Sequence, residues 1–512
     1  MKKLHIQYNS PVVLSFALLS LAALLLGQIA LAFFLSTELR QRAAIIYTVL
    51  ELAAFGYAVR IYNRTDGASY KFGWIFLVLT VPVVGLILYF LWNGDRQQKR
   101  LDLKKLPMPE EPEAQQAAHR IQMEKLRRKF PQWERLSVYL SRQGYLLYGD
   151  TETTYLPTGE AFLQDMLEKL EQAEHFIFLE FFIIAQGQIW DRMAEIFRRK
   201  AAEGVEVKII FDDFGSMMRF PAGQIEESGV EVQVFNPVHH YVNRLYFNYR
   251  DHRKIVCIDG STAYTGGANV ADEYANLTVR FGYWKDCGIR LDGPGAWGLT
   301  REFLHMWQRN GGQLMQERDY YRPHDHREAA GFCQPFVDGP DNNPISTAED
   351  VFLHLINNAR RSVHITTPYL AIDEPMRQAL CSAGDSGVDV RLLLPGIPDH
   401  KFAYLAAQSH YGELLVHHVK IYIYEPGLLH GKTVLSDGEA AFVGSVNMDY
   451  RSFQLHFECG TVLYGVPAIE GLAEDIQRIT DRSRRVTYQE WKSRPWYRKL
   501  LSTLLRLFEM WM

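Results

Sequence analysis

DHRKIVCIDGSTAYTGGANVADEY (residues 251–274) and LHGKTVLSDGEAAFVGSVNMDYRS (residues 429–452) decide how this 512-residue chain is read. Each carries His-x-Lys, four further residues and Asp: His252, Lys254 and Asp259 in the first, His430, Lys432 and Asp437 in the second. At about one in twenty per residue type, such a triple arises about once in 10⁴ positions. Two copies in one chain, each followed by Gly-(Gly or Ser)-x-Asn, are a duplication.

The duplication extends outward on both sides. An amphipathic helix and apolar strand at 160–183 match those at 349–372. GVEVKIIFDD (204–213) matches GVDVRLLLPG (387–396), and GVEVQVFNP (229–237) matches HVKIYIYEPG (418–427). YWKDCGIRL (283–291) matches HFECGTVLY (456–464). Helices alternating with short apolar strands predict an α/β fold. It consists of two α-β-α sandwich halves, 148–333 and 334–490, related by a pseudo-twofold. The most alike segments are polar loops rather than core strands, which points to chemistry.

His-x-Lys on a strand places both side chains on one face. The glycines that follow allow a tight turn that returns Asn269 and Asn447 to that face. Across the pseudo-twofold, two His, two Lys and two Asn converge on one cleft suited to a phosphoryl group. One neutral imidazole attacks phosphorus while the other, protonated, delivers a proton to the departing oxygen. Lys254, Lys432, Asn269 and Asn447 stabilise the transition-state charge. An imidazole nucleophile needs its second nitrogen held. Asp286 and Glu458, at equivalent places on otherwise apolar strands, are the orienting candidates. Asp259 and Asp437 stand with the catalytic triples, but each precedes a glycine, and turn formation suits them better.

Composition narrows the classes. Lys plus Arg is 55 and Asp plus Glu 59, a net charge of −4, which argues against a nucleic-acid binder. The five cysteines are scattered with no CxxC, so no metal site is expected. No GxxxxGK[ST] loop is present, and no cofactor is expected.

The N-terminal region, 1–95, is apolar. Charge-free runs at 11–35 and 72–92, and a shorter apolar one that carries Glu51, predict three spans, about 11–35, 43–60 and 71–93. A cleaved signal peptide is the rival for the first, whose 25 residues exceed the usual apolar length. Lysine and arginine flanks favour the catalytic body on the cytoplasmic face, by seven to five. Residues 96–147 read as a juxtamembrane linker and short helix. Residues 491–512 read as an amphipathic helix, lying in the lipid interface or packing on the body.

On these residues the chain resembles the phospholipase D superfamily, whose paired HKD motifs match His252–Asp259 and His430–Asp437. FGWIFLVLTVPVVGLILYFLW (72–92), TPYLAID (367–373) and GSVNMDYRSFQLHFE (444–458) resemble bacterial cardiolipin synthases. The resemblance implies two phospholipase D-like halves behind transmembrane helices in the cell membrane. It implies that two phosphatidylglycerols give cardiolipin and glycerol through a phosphatidyl-histidine, with His252 attacking and His430 protonating. Membrane phospholipids are then the partners, nucleic acid is not, and a homo-oligomer stays open. Gly431 departs from the usual Ala, and the segment 275–282 separates the first Asn loop from its acidic strand. Three alternatives stay open: a phospholipase D or transphosphatidylase using water, another alcohol or phosphatidylethanolamine as acceptor or donor, a nuclease, and a non-enzymatic membrane scaffold.

Overall fold

The computed structural model describes residues 40–64, 67–92, 103–104, 106, 113–216, 220–225, 228–237, 249–313, 316–321, 328–342, 345–507 and 509. The span expected at 11–35 lies outside these. The chain divides into two compact units, residues 1–101 with 236–249 and residues 102–235 with 250–512.

In the first unit, helix Arg40–Tyr62 contains Ile45–Tyr62, 18 residues long and apolar enough to cross a membrane. The span expected over 71–93 is not one helix. It breaks at Val81 into Ala68–Thr80 and Pro82–Trp92. Pro82 lacks an N–H and disfavours helical backbone at the residue before it. The two pieces fold back on each other, with Trp74 edge-on to Tyr89 at 5.4 Å. A Cβ on Gly85 would fall 2.5 Å from the Leu77 carbonyl oxygen, so only glycine permits this crossing. At 1.5 Å per residue, helices of 13 and 11 residues are too short to span a hydrocarbon core of about 30 Å.

The second unit holds both sandwich halves. The first half's strands are β1 (Glu152–Leu156), β2 (Phe176–Phe181), β3 (Glu206–Asp212), β4 (Glu231–Phe235), β5 (Arg250–Asp251), β6 (Lys254–Ile258), β7 (Thr262–Gly266), β8 (Tyr283–Lys285) and β9 (Gly288–Asp292). The second half's are β10 (Phe332–Asp338), β11 (Ser362–Thr366), β12 (Leu370–Ala371), β13 (Asp389–Pro395), β14 (Lys420–Tyr424), β15 (Gly427–Leu429), β16 (Thr433–Ser436), β17 (Ala440–Gly444), β18 (Met448–Asp449), β19 (His456–Tyr464) and β20 (Ser483–Val486). The first sheet runs β1-β9-β7-β6-β2-β3-β4 and the second β10-β19-β17-β16-β11-β13-β14-β20. The orders are the same apart from the added β20. In both, the two strand pairs β2-β3-β4 and β11-β13-β14 are parallel and the HKD strands pair antiparallel.

Matching helices cover the sheets. Thr158 caps Gly159–Leu170 and Ser346 caps Thr347–Asn357, each side chain accepting a bond from a first-turn amide. The expected boundaries need correcting. β10 belongs to the second sheet and begins at Phe332, so the division after 333 cuts a strand. The stretch expected as linker ends in two helices, Glu113–Lys129 and Glu134–Arg142. Their Leu126, Leu136 and Leu140 are buried in the second half's core. Ser137 Oγ donates to Gln334 Oε1 at 2.8 Å, so this segment is part of that half.

Candidate active site

Two short strands cross between the halves. β5, just before His252, pairs in parallel with the start of β19. β15, just before His430, pairs in parallel with β8. The His252 amide donates to the Phe457 carbonyl at 2.8 Å and the His430 amide to the Lys285 carbonyl at 2.7 Å. Each HKD histidine is thereby strapped beside the residue preceding the other half's acid.

The side chains follow. His252 Nδ1 lies 2.9 and 3.0 Å from the two Glu458 carboxylate oxygens, and His430 Nδ1 lies 2.7 Å from Asp286 Oδ2. Both carboxylates are fully buried. Holding Nδ1–H on a carboxylate leaves the Nε2 lone pair of His252 to face a ligand. Ser445 also hydrogen-bonds Glu458. At the matching place Gly267 is required, because a Cβ there would fall 2.2 Å from Asp286 Oδ1.

The lysines lie beneath the histidines. Lys254 Nζ donates to the His252 carbonyl and Lys432 Nζ to the His430 carbonyl, both at 2.5 Å. Lys432 Nζ also stands 2.8 and 3.0 Å from the two nitrogens of the His430 ring. Burial pushes Lys254 down to about 7 and Lys432 to about 8, against the pull of Glu458 on the first and of Asp286 and Glu458 on the second. Burial also lowers both imidazoles. His252 is driven well below its usual range, with Lys254, Lys432 and His430 adding like charge. His430 is lowered by burial and Lys432 but pulled back by Asp286. For Asp286 burial acts upward, yet the His430 charge and hydrogen bond, with Lys432, outweigh it and hold the carboxyl at about 2. These mutual effects join the His and Lys of both motifs, with Asp286 and Glu458, in one cluster.

The asparagines are buried beside it. Asn269 accepts from the Ile183 amide at 3.1 Å and donates to Tyr274 Oη at 2.7 Å, leaving one amide hydrogen for a ligand. Asn447 is 5% exposed, and its Oδ1 takes no bond among the described residues. Asp259 and Asp437 sit elsewhere. Asp259 accepts from the amides of Glu174, His175 and Phe176, each at 2.8 Å. Asp437 accepts from those of Arg360, Arg361 and Ser362 at 2.7–2.9 Å. Both have positive φ, 53° and 55°, and lead Gly260 and Gly438 in tight turns. These contacts give the two aspartates the turn role and correct their grouping with the catalytic residues.

Sequence reasoning missed three features. His456 stands over His252, ring centres 5.6 Å apart, where the other half sets Trp284 over His430 at 5.3 Å. Glu180, Asp251 and Arg253 form a buried charged group behind His252, Arg253 lying 3.6 Å from Glu180. Burial and the Asp251 charge raise Glu180. An acid inside the apolar strand FIFLEF was the available signal, the same one that marked Asp286 and Glu458. His252, His456 and Glu458 also bring donor atoms within 4.8 Å of one another, the one metal-capable group found among the described residues.

Paired HKD motifs on two like-ordered sheets, each histidine bonded to the other half's carboxylate, define the phospholipase D superfamily. The family description "Cardiolipin synthase, PLD-like domain" matches residues 166–279 and 352–480, and "Phospholipase_D-nuclease N-terminal" matches 52–93. The chain is 32% identical to cardiolipin synthase 2 of Bacillus anthracis over 460 residues, 89% of each chain. It is 31% identical to the major cardiolipin synthase ClsA of Bacillus subtilis over 466 residues, 87% of this chain and 94% of that one. An uncharacterized protein of Streptococcus mutans is 36% identical over 442 residues, 85% of this chain and 95% of that one. Phosphatidylserine synthase of Haemophilus influenzae shares the fold, with TM-score 0.57 at 14% identity, over 73% of this chain and 99% of that one. The chain belongs to the cardiolipin synthases of the phospholipase D superfamily, and it is a phosphatidyltransferase.

Proposed function

We propose that this protein joins two phosphatidylglycerols into cardiolipin and free glycerol, with the reciprocal His–carboxylate pairs as the working parts. His252 Nε2 attacks phosphorus; the bond from phosphorus to the glycerol oxygen breaks as His430 gives that oxygen its proton. The phosphatidyl-His252 is then attacked by the terminal hydroxyl of a second phosphatidylglycerol, whose proton passes to His430 as the phosphorus–nitrogen bond breaks. Atoms and charge balance without nucleotide or metal as a reactant. Lys254, Lys432, Asn269 and Asn447 hold the phosphoryl oxygens and stabilise the five-coordinate state.

The inequality of the two histidines supports this division of labour. His252, lowered further, is the better neutral nucleophile, whereas Asp286 favours the protonated His430 that an acid requires. The test is purified protein with phosphatidylglycerol bilayers labelled in the phosphate. Cardiolipin, glycerol and an acid-labile adduct on His252, captured by a neutral denaturant quench, are expected. Phosphatidic acid in place of cardiolipin would establish the hydrolytic alternative.

The enzyme is a multi-pass membrane protein with its catalytic body on the cytoplasmic face. Because the helices of 68–92 turn back on each other, the crossings are 11–35 and the helix containing 45–62. Ten basic residues then flank the inner side (Lys2, Lys3, Arg60, Arg64, Lys71, Arg96, Lys99, Arg100, Lys104 and Lys105) and two the outer, Arg40 and Arg42. This is a stronger positive-inside bias than three crossings give. Lipid substrates stay in the bilayer, and no nucleic acid takes part.

A further inference from the structure

The last helix of the catalytic unit, Trp496–Arg506, is packed inside out. Its one buried residue is Ser502, at 2% exposure. Trp496, Tyr497, Leu500, Leu501 and Leu504 all face outward, at 75, 54, 51, 40 and 47% exposure. A surface helix in water turns its apolar stripe to the core. The attachment is nonetheless deliberate. Trp491 Nε1 donates to the Gln408 carbonyl at 2.8 Å in front of the helix, and behind it Glu509 lies 2.9 Å from the buried His410. The body thus holds the helix with its apolar face outward.

That face continues to the candidate active site. The helix packs on Lys401–Ala407, whose Phe402 is 66% exposed. Just before it, Asp399 accepts from Tyr369 Oη at 2.5 Å, and its charge acts on His430 and Lys432. Ile397 in turn abuts the 275–282 segment: a Cβ on Gly282 would come within 3.0 Å of Ile397 Cδ1. That segment carries Leu277 and Val279, the latter 77% exposed, and is pinned by Asn276, whose Oδ1 accepts from the Trp284 amide at 2.7 Å. Cations flank the apolar groups throughout: Arg280, Lys401, Arg498, Lys499 and Arg506.

We propose that helix Trp496–Arg506, with 397–402 and 277–282, is a bilayer-docking face that seats the mouth of the candidate active site on anionic phospholipid. Apolar side chains ringed by lysine and arginine match the acyl boundary and phosphate layer of such a surface. The inference deepens the proposed reaction by saying where lipid enters, on the His430 side.

All five native cysteines are buried, so a single exposed cysteine can be labelled selectively. Full-length protein with Leu504→Cys carries an environment-sensitive fluorophore in phosphatidylglycerol nanodiscs, with Glu474→Cys as the solvent reference. The label at 504 is expected to shift blue and be quenched by acyl-chain spin labels, the label at 474 by aqueous iodide. A label at 504 quenched by iodide alone overturns the docking face. A blue shift without lipid quenching assigns the face to a second copy of the chain and also overturns it. The variant Trp496→Glu/Leu500→Glu/Leu504→Glu is expected to lose at least tenfold in turnover of bilayer phosphatidylglycerol. Its turnover of monomeric short-chain phosphatidylglycerol should be unchanged; equal losses on both would refute docking. If the native chain makes no cardiolipin from either substrate, the proposed reaction fails while the quenching result still decides the docking face.

Discussion

The two histidines sit in matching folds but unlike surroundings. His430 is held by a short aspartate and walled by Trp284 and Tyr274, ring centres 5.3 and 5.6 Å away. His252 is held by a longer glutamate, itself bound by Ser445, and faces Phe182 and a third imidazole, His456. Behind His252 lie Glu180, Asp251 and Arg253. The matching positions behind His430 are Thr366, Leu429 and Gly431, with Thr366 Oγ1 bonded to Thr433 Oγ1 at 2.8 Å. Duplication supplied two equal catalytic arms. Differences in burial and charge now set them apart: both imidazoles are lowered, His252 further than His430, which Asp286 pulls back up. The backbone symmetry that brings them together does not distinguish them.

Exchanging the roles is the hardest test of this comparison. His252→Ala should abolish turnover, by about 10⁶-fold, and leave no adduct. His430→Ala, losing an acid rather than a nucleophile, should cost about 10²–10⁴-fold and still form some adduct. Adduct detection by mass spectrometry after a neutral denaturant quench checks both; an adduct on His430 in the His252 variant reverses the assignment. Next come the carboxylates. Asp286→Asn and Glu458→Gln each release the tautomer, at up to about 10⁴-fold in kcat. Asp286→Asn should also abolish the assistance to leaving-group departure, so a phosphatidyl substrate with a low-pKa leaving group should rescue it more than Glu458→Gln.

The lysines give a smaller, pH-dependent effect. Lys254→Met or Lys432→Met should cost about 10²–10³-fold. Because a lysine loses its charge as pH rises through its pKa, and burial has brought these to about 7 and 8, kcat/KM should fall above that range. Lys254→Arg, whose charge persists, should move the alkaline limb upward. His456, driven by burial to about 3, is neutral at working pH, so His456→Asn should change the rate only a few-fold and leave the profile's shape intact. The smallest effect is on stability. A Cβ at Gly431 would meet Cys287 Sγ at 2.9 Å, so Gly431→Ala should lower thermal stability by about 1–3 kcal/mol. Cys287→Ala in the same chain should recover most of it, as read in a melting curve.

Much of this was legible from residue order. Helices alternating with short apolar strands, repeated together with their polar loops, reported the two sandwiches. An acid on an apolar strand marked Asp286 and Glu458 because burying a charge is costly without a partner. That each acid serves the other half's histidine was not legible, because it depends on β5 pairing with β19 and β15 with β8. Pairing between strands some 200 and 140 positions apart leaves no local pattern. The Pro82 break had its signal in the proline itself, inside a run otherwise read as one apolar span. The docking of Glu113–Arg142 on the second half was hidden because its few apolar residues are outnumbered by solvated charge.

The residue order by itself determined the repeated architecture, the reacting groups and their distribution between two arms, since local periodicity and spacing are properties of neighbouring residues. Which carboxylate each imidazole meets, which imidazole is lowered further, and which way Trp496–Arg506 turns its apolar stripe were decided only in three dimensions. Those outcomes depend on burial and on charges brought together from distant parts of the chain, and neither quantity exists until the two halves close on one another.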